Sequence, residues 1–282
     1  MGAIFQTQTI NVNKLINTFI IMRGILGAIS GDIIGSVYEF NHIKTKDFDL
    51  FSYNSEFTDD TVMTLAVAKW LCEDKDSQSV LIENLKYFGN IFPDAGYGGR
   101  FSKWLVQESP EPYGSWANGS AMRVSPCAWA ADSLKESQEL AKASAVVTHN
   151  HPEAVKGALA TSDSIYLAKD GADKEKIKNH VEATYGYDLS FSLDEIRPTY
   201  SMDVSCSGSV PESIVCFLEA DDFEDTIRNA VSLGGDADTQ AAIAGSIASA
   251  YWDIPERISY RAINYLDDVL LDALIDFDEK FM

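Results

Sequence analysis

The chain has 282 residues, with 43 acidic against 22 basic side chains and a formal net charge of −21. Such a surface repels a nucleic-acid backbone or an anionic membrane unless it carries a basic stripe, and the Lys and Arg residues are scattered, so neither is an expected partner. The length admits a large buried core in one helical domain, and the four cysteines, Cys72, Cys127, Cys206 and Cys216, have no CxxC spacing and are too sparse for a disulfide framework, which fits reduced thiols and a cytoplasmic setting.

In chain order, the patterned sequence begins at Met22, so residues 1–21 read as a dispensable extension or the result of an alternative translation start. The apolar run at 15–29 is interrupted by Arg23, is too short to span a bilayer, and lacks a small-residue cleavage pattern after a basic start. Next comes GAISGDIIGSVYEF, in which Asp32 follows Gly31 and Glu39 stands as a lone carboxylate. Alone, GDxxGxxxE is a weak pattern, and a solvated Glu is its ordinary reading. In TDDTVMTLAVAKWLCE, Val62, Leu65, Ala66, Ala68 and Leu71 recur at the spacing of one helix face, and Thr58 with two aspartates marks the start.

Helical periodicity continues over 125–143, 151–168, 211–219, 223–233 and 255–277, while strand-like alternation is scarce. Between the helices, FPDAGYGGR (92–100), SPEPYGSWANGS (109–120) and RPTYSMDVSCSGS (197–209) read as long loops able to carry function on a rigid scaffold. No repeat or linker divides the chain, and the expected fold is a compact, all-helical single domain occupying 22–282.

The stretch GGDADTQAAIAGSIASAYW places charge directly before small apolar residues. On a continuous helix Asp236 and Asp238 would lie about 200° apart, so to converge on one object they should sit in the turn before it, a turn that Gly234 and Gly235 permit. Helix capping is the ordinary explanation for aspartates there. Against it stands the second cluster of the same composition, Thr58, Asp59, Asp60 and Thr61, which also opens a predicted helix. Two oxygen-rich clusters closing from opposite sides would suit hard cations, magnesium, manganese or calcium, in preference to zinc.

These three elements in this order, together with AGYGGR, NGSAMRVSP and THNHPEAVKGA, closely resemble the ADP-ribosylglycohydrolase family, including the dinitrogenase reductase activating glycohydrolases, over residues 22–255. The resemblance implies a binuclear Mg2+ or Mn2+ centre, with Thr58, Asp59 and Asp60 as ligands from one side and Asp236, Asp238 and Thr239 from the other. It places Glu39 on a mobile loop covering the metals and the ribose. Gly96, Tyr97 and Gly98 match a loop near the distal ribose and pyrophosphate, Asn118, Gly119, Ser120 and Met122 a second substrate loop, and His149 a substrate-contacting histidine. His149 also has a reading as a helix-capping or core residue, and His151 reads as exposed and incidental.

The implied activity is metal-dependent hydrolysis of the N- or O-glycosidic bond between ADP-ribose and an acceptor, an ADP-ribosylated protein or a small-molecule conjugate. Glu39 or Asp60 would handle water and proton transfer, Glu39 being preferred because it stands apart from both ligand clusters. Asp94, just before AGYGGR, would suit a guanidinium and tilts the acceptor toward arginine over serine, although a surface loop aspartate is the ordinary reading. Tyr97, Tyr113, Trp116 and Tyr200 lie in loops where an adenine could stack, and the pattern does not choose among them. A non-catalytic ADP-ribose-binding or structural relative is the alternative, which intact metal motifs and Glu39 oppose, and a two-metal phosphoester hydrolase is a third class. Nothing in the pattern specifies an oligomeric state.

Overall fold

Serine, threonine and aspartate recur just ahead of the apolar runs because most of them cap helices. The computed structural model describes residues 23–282, so the extension expected at 1–21 lies outside the described residues. Helix α1 (Leu26–Gly35) runs into a 3-10 turn at Ser36–Tyr38 and a long loop, after which the Thr58 hydroxyl accepts from the Asp60 amide and opens α2 (Asp59–Asp74). Ser77 caps α3 (Gln78–Ile91), and α4 (Gly99–Leu105), α5 (Gly119–Met122) and α6 (Ser125–Ala130) follow as short pieces. Ser133 caps α7 (Leu134–Val146), His151 caps α8 (Pro152–Lys169), and Asp173 caps α9 (Lys174–Tyr185). Ser192 opens the single turn α10 (Leu193–Ile196) in a reciprocal box with Glu195, Ser205 caps α11 (Cys206–Leu218), and Asp222 caps α12 (Phe223–Ser232). The chain ends in α13 (Ala237–Tyr251), α14 (Glu256–Ile263) and α15 (Asp268–Phe281), the last capped by Asp267. Each such cap contributes about 0.5–2 kcal/mol by satisfying an orphan amide.

The fold is an all-helical single domain, and among the described residues the nearest approach to a sheet is one isolated bridge between Ala117 and Ser205. No helix among the described residues is long and apolar enough to cross a membrane. Two expected helices are each broken in two. The one at 125–143 leaves helical geometry at Ala131 (ψ 141°), where Lys169 Nζ donates to the freed carbonyls of Ala128, Trp129 and Ala131, and Ser133 restarts it. The one at 255–277 stops after Ile263 and restarts at the Asp267 cap. Helix α11 begins ahead of the expected start at 211, because Ser205 caps it and Pro211 is held inside it.

The core is organised around α13, whose residues from Ala237 to Ala250 are all buried. Helix α1 presents Gly27, Gly31 and Gly35 at four-residue spacing, one glycine per turn on a single face. A Cβ on Gly31 would stand 2.0 Å from the Ala241 carbonyl oxygen, and one on Gly245 would stand 2.5 Å from that of Gly27. The two backbones therefore touch, which explains the run of small residues in α13. The contact carries Asp32, next to Gly31, fully buried to the head of α13.

Candidate metal and substrate site

Asp32 joins α1 to the start of α2. Its carboxylate accepts from the Thr58 amide (2.9 Å), Thr58 Oγ1 (2.6 Å), the Thr61 amide (3.0 Å) and Thr61 Oγ1. The clamp fixes Asp59 and Asp60 in the first turn of α2, against α13. Carboxylate oxygens of Asp32, Asp60 and Asp238 lie within 4.8 Å of one another, as do those of Glu39, Asp236 and Asp238. Asp238 is common to both triads.

The head of α13 differs from an ordinary capped terminus. Gly234, with φ +62°, makes the turn, and Asp236 occupies the N-cap position but makes no side-chain capping bond. Its Oδ2 instead accepts from Asn118 Nδ2 at 2.7 Å. The expectation that both aspartates precede the helix is corrected: Asp236 does, while Asp238 and Thr239 already lie in its first turn. Convergence needs only that one of the pair escape helical spacing. Thr239 Oγ1 donates to Asp60 Oδ2 at 3.1 Å, tying the two motifs together, and the buried Asp60 Oδ1 has no hydrogen-bond partner among the described residues.

Burial raises every carboxyl of this group, and in Glu39, Asp59, Asp60 and Asp238 repulsion by the others adds to it. Asp59 is pushed up to about 8 by burial and the charges of Asp32, Asp236 and Glu39. Glu39 is pushed up to about 7 by burial, then by Asp236 and Asp32. Asp60 and Asp238 are driven well above the usual range by burial and their acidic neighbours. In Asp32 and Asp236 burial outweighs the hydrogen bonds that favour the charged form. Among the described residues no Lys or Arg pairs with any of these six. Buried like charges without a counter-charge, an orphaned carboxylate oxygen and an all-oxygen donor set fit hard divalent cations.

A cavity of about 340 Å³ opens over this acidic floor, within the range of small-molecule sites. Glu39, Asp59, Asp60, Asp236, Asp238 and Thr239 line it, together with Gly96, Gly98, Asn118, Gly119, Met122 and His149. Glu39, isolated in sequence, is thus brought into the ligand cluster, which removes the reason for setting it apart. Thr58 does not line the cavity; its hydroxyl is held by Asp32 and caps α2. The Ser120 hydroxyl turns away to donate to the Ala154 carbonyl (2.9 Å), and the Tyr97 ring packs on Phe101 with centroids 5.6 Å apart. Asp94 is exposed and off the cavity wall.

His149 is buried, with Nδ1 2.7 Å from Thr148 Oγ1 and its ring beside Tyr113; burial, reinforced by Arg123 and Arg100, holds its pKa well below the usual range and keeps it neutral. His151 caps α8 and is exposed. Of the four aromatic residues, only Tyr113 lines the wall; the Tyr200 hydroxyl is committed to Gly208 and Gln240, and Trp116 lies off the wall. The sequence reading missed Asp32, Arg100 and Arg123 as site residues, although all three stood inside quoted motifs. Arg100 lies 4.9 Å over the Tyr113 ring and donates to the Tyr113 carbonyl, and Arg123 is buried at the back of the cavity.

Fold and site together define a helical domain with an acidic, cation-suited floor beneath a ligand-sized cavity, and the likeness to known proteins agrees. The ADP-ribosylglycohydrolase family model matches residues 20–279, and the chain belongs to that family. It is 28% identical to mouse ADP-ribosylhydrolase ARH3, over 89% of this chain and 90% of the relative. It is 27% identical to the ADP-ribosylarginine hydrolase Tri1 of Pseudomonas putida strain GB-1, over 90% of this chain and 78% of the relative. A solved structure described as an ADP-ribosylglycohydrolase-related protein complex superposes with a TM-score of 0.69 at 22% identity, covering 96% of this chain and 100% of that one, which supports the fold.

Proposed function

We propose that the chain hydrolyses the glycosidic bond between ADP-ribose and an acceptor, an ADP-ribosylated protein or a small-molecule conjugate, with two divalent cations, Mg2+ or Mn2+, held at the cavity floor. The observation that carries this reading is the pair of carboxylate triads sharing Asp238, buried apart from the half-buried Glu39, at a cavity whose lining also supplies hydrogen-bond donors. Asp32, Asp60, Asp236 and Asp238 would hold the cations, with Asp59, Thr58, Thr239 and Glu39 bordering them. Bound there, the ions would supply positive charge that favours ionisation of water and fixes ribose hydroxyls.

The residues of the chain do the rest. Thr239 and Asn118 orient the carboxylates of Asp60 and Asp236. Glu39, less buried than Asp60 or Asp238, is the group placed to take a proton from water and return one to the leaving group. The surrounding carboxylates stabilise the positive charge that grows on the ribose as the bond breaks. Backbone amides of the Gly96–Gly98 loop, Arg100 and His149 would meet the diphosphate, and Tyr113 offers a face for adenine. Asp94 is off the wall, so the geometric argument for an arginine acceptor lapses; the name of the P. putida relative keeps that linkage in view, and serine linkage stands beside it.

Purified protein incubated with arginine-linked and serine-linked ADP-ribosyl peptides, in Mg2+, Mn2+ or EDTA, tests the reading by mass spectrometry of the released species. Metal-dependent release of intact ADP-ribose is expected. Release of AMP would assign phosphoester hydrolysis instead, and metal-loaded protein that binds ADP-ribose yet frees none from either conjugate would make it a binding protein.

A further inference from the structure

What His149 does at the cavity wall depends on which ring nitrogen carries its proton. Nδ1 lies 2.7 Å from Thr148 Oγ1, and that oxygen also accepts from Arg123 Nη2 at 2.8 Å. Arg123 is 1% exposed, and Nη2 donates as well to the Ser144 carbonyl at 2.7 Å. A guanidinium has no acceptor, so Thr148 can only receive from it. Among the described residues the only other partner of Thr148 Oγ1 is His149 Nδ1, which leaves the hydroxyl proton one destination. A proton on Nδ1 would strand the hydroxyl proton of Thr148, which is fully buried, a situation native structures rarely tolerate. Nε2 makes no hydrogen bond among the described residues and would stand 3.0 Å from a Cβ on Gly119, whose lack of a side chain leaves that ring edge open to the cavity.

We infer that Arg123 and Thr148 are positioning residues that lock His149 as the neutral Nε2–H tautomer, making it a hydrogen-bond donor to bound ADP-ribose and unable to act as a base. The ligand in this statement rests on the proposed function; the tautomer does not. A ring so held has no lone pair facing the cavity. It donates to a phosphate or ribose oxygen, and proton removal from water falls to the carboxylates that line the same cavity. Arg123, inside the NGSAMR motif, thus serves the site through Thr148 without touching the ligand at that point.

Nitrogen-15 NMR of the protein's four histidines, with His149 assigned by the signal lost in His149→Asn, reads the tautomer without any turnover. The expected result is a protonated Nε2 and an unprotonated, hydrogen-bonded Nδ1; a protonated Nδ1 or an even mixture overturns the inference. Thr148→Val and Arg123→Met should each release the second tautomer and raise the Kd for ADP-ribose about tenfold, the value of one hydrogen bond, with a much smaller change in kcat. Thr148→Ser should restore both readings, which a merely structural role would not require. A Thr148→Val protein that keeps the wild-type tautomer and Kd would also overturn it. Wild-type protein with the inferred tautomer but no affinity for ADP-ribose would uphold the relay and discard the proposed ligand.

Discussion

Five carboxylates line the cavity, with the fully buried Asp32 behind them, on or beside α1, α2 and α13, where direct backbone contact at Gly31 and Gly245 leaves little freedom. The rest of the lining is made of loops and short helices, and its arginines are anchored: Arg100 on Tyr113 and Arg123 on Thr148. One region holds unbalanced negative charge in a rigid frame, and the other holds cationic and neutral donors, of which Arg123 Nε has no hydrogen-bond partner among the described residues. The carboxylates therefore suit cations, whereas the rest of the lining suits an anionic, aromatic ligand, and the proposed ADP-ribose substrate meets both needs.

The sharpest separation of the two regions comes from Asp238→Asn, which touches both triads. Turnover should fall on the order of a thousandfold, while the metal-free protein melts at a higher temperature because a like charge is gone. Thermal melts without metal and hydrolysis with it check the two halves. Gly31→Ala probes the frame alone: its Cβ would collide with the Ala241 carbonyl, and a loss of about 3 kcal/mol in denaturant unfolding is expected. Glu39→Gln should cut turnover about a hundredfold and leave calorimetric ADP-ribose binding nearly intact; wild-type turnover would remove Glu39 from the mechanism.

On the wall, Arg100→Ala should weaken ADP-ribose binding about fivefold with kcat retained, and Asp94→Ala should change neither. The smallest effect lies outside both regions. Glu212 on α11 is pushed up to about 7 by burial, and its Oε2 has no hydrogen-bond partner among the described residues. A carboxyl raised on folding favours the native state fully below its unfolded pKa near 4.5, and that contribution is lost as pH rises through about 7. Glu212→Gln should therefore raise the melting temperature at pH 8 and leave it nearly unchanged at pH 4.5.

The acidic clusters were legible because carboxylates and threonines gather in the sequence itself, in Thr58–Asp60 and Asp236–Thr239. Asp32 was not, since its place depends on glycines that let α1 touch α13, a distant contact that spacing does not encode. The same holds for Arg123, whose proposed role passes through Thr148, and for Ser120 and Asp94, which stand in segments that reach the cavity but are not among its lining residues. The broken helices at 125–143 and 255–277 were joined because apolar periodicity continues across the gaps, while a single Ser133 or Asp267 cap ends it. Helix α9 passed unread because it buries only Ile177 and Val181, too narrow a stripe to register as a period.

Titration of metal-free protein with Mn2+, followed by electron paramagnetic resonance, addresses the floor most directly. Two ions per chain, close enough to couple and reduced to one or none in Asp238→Asn, are expected from the two triads that share that residue. Saturation at one isolated ion, or no tight binding at all, would show that the carboxylates do not form a binuclear centre.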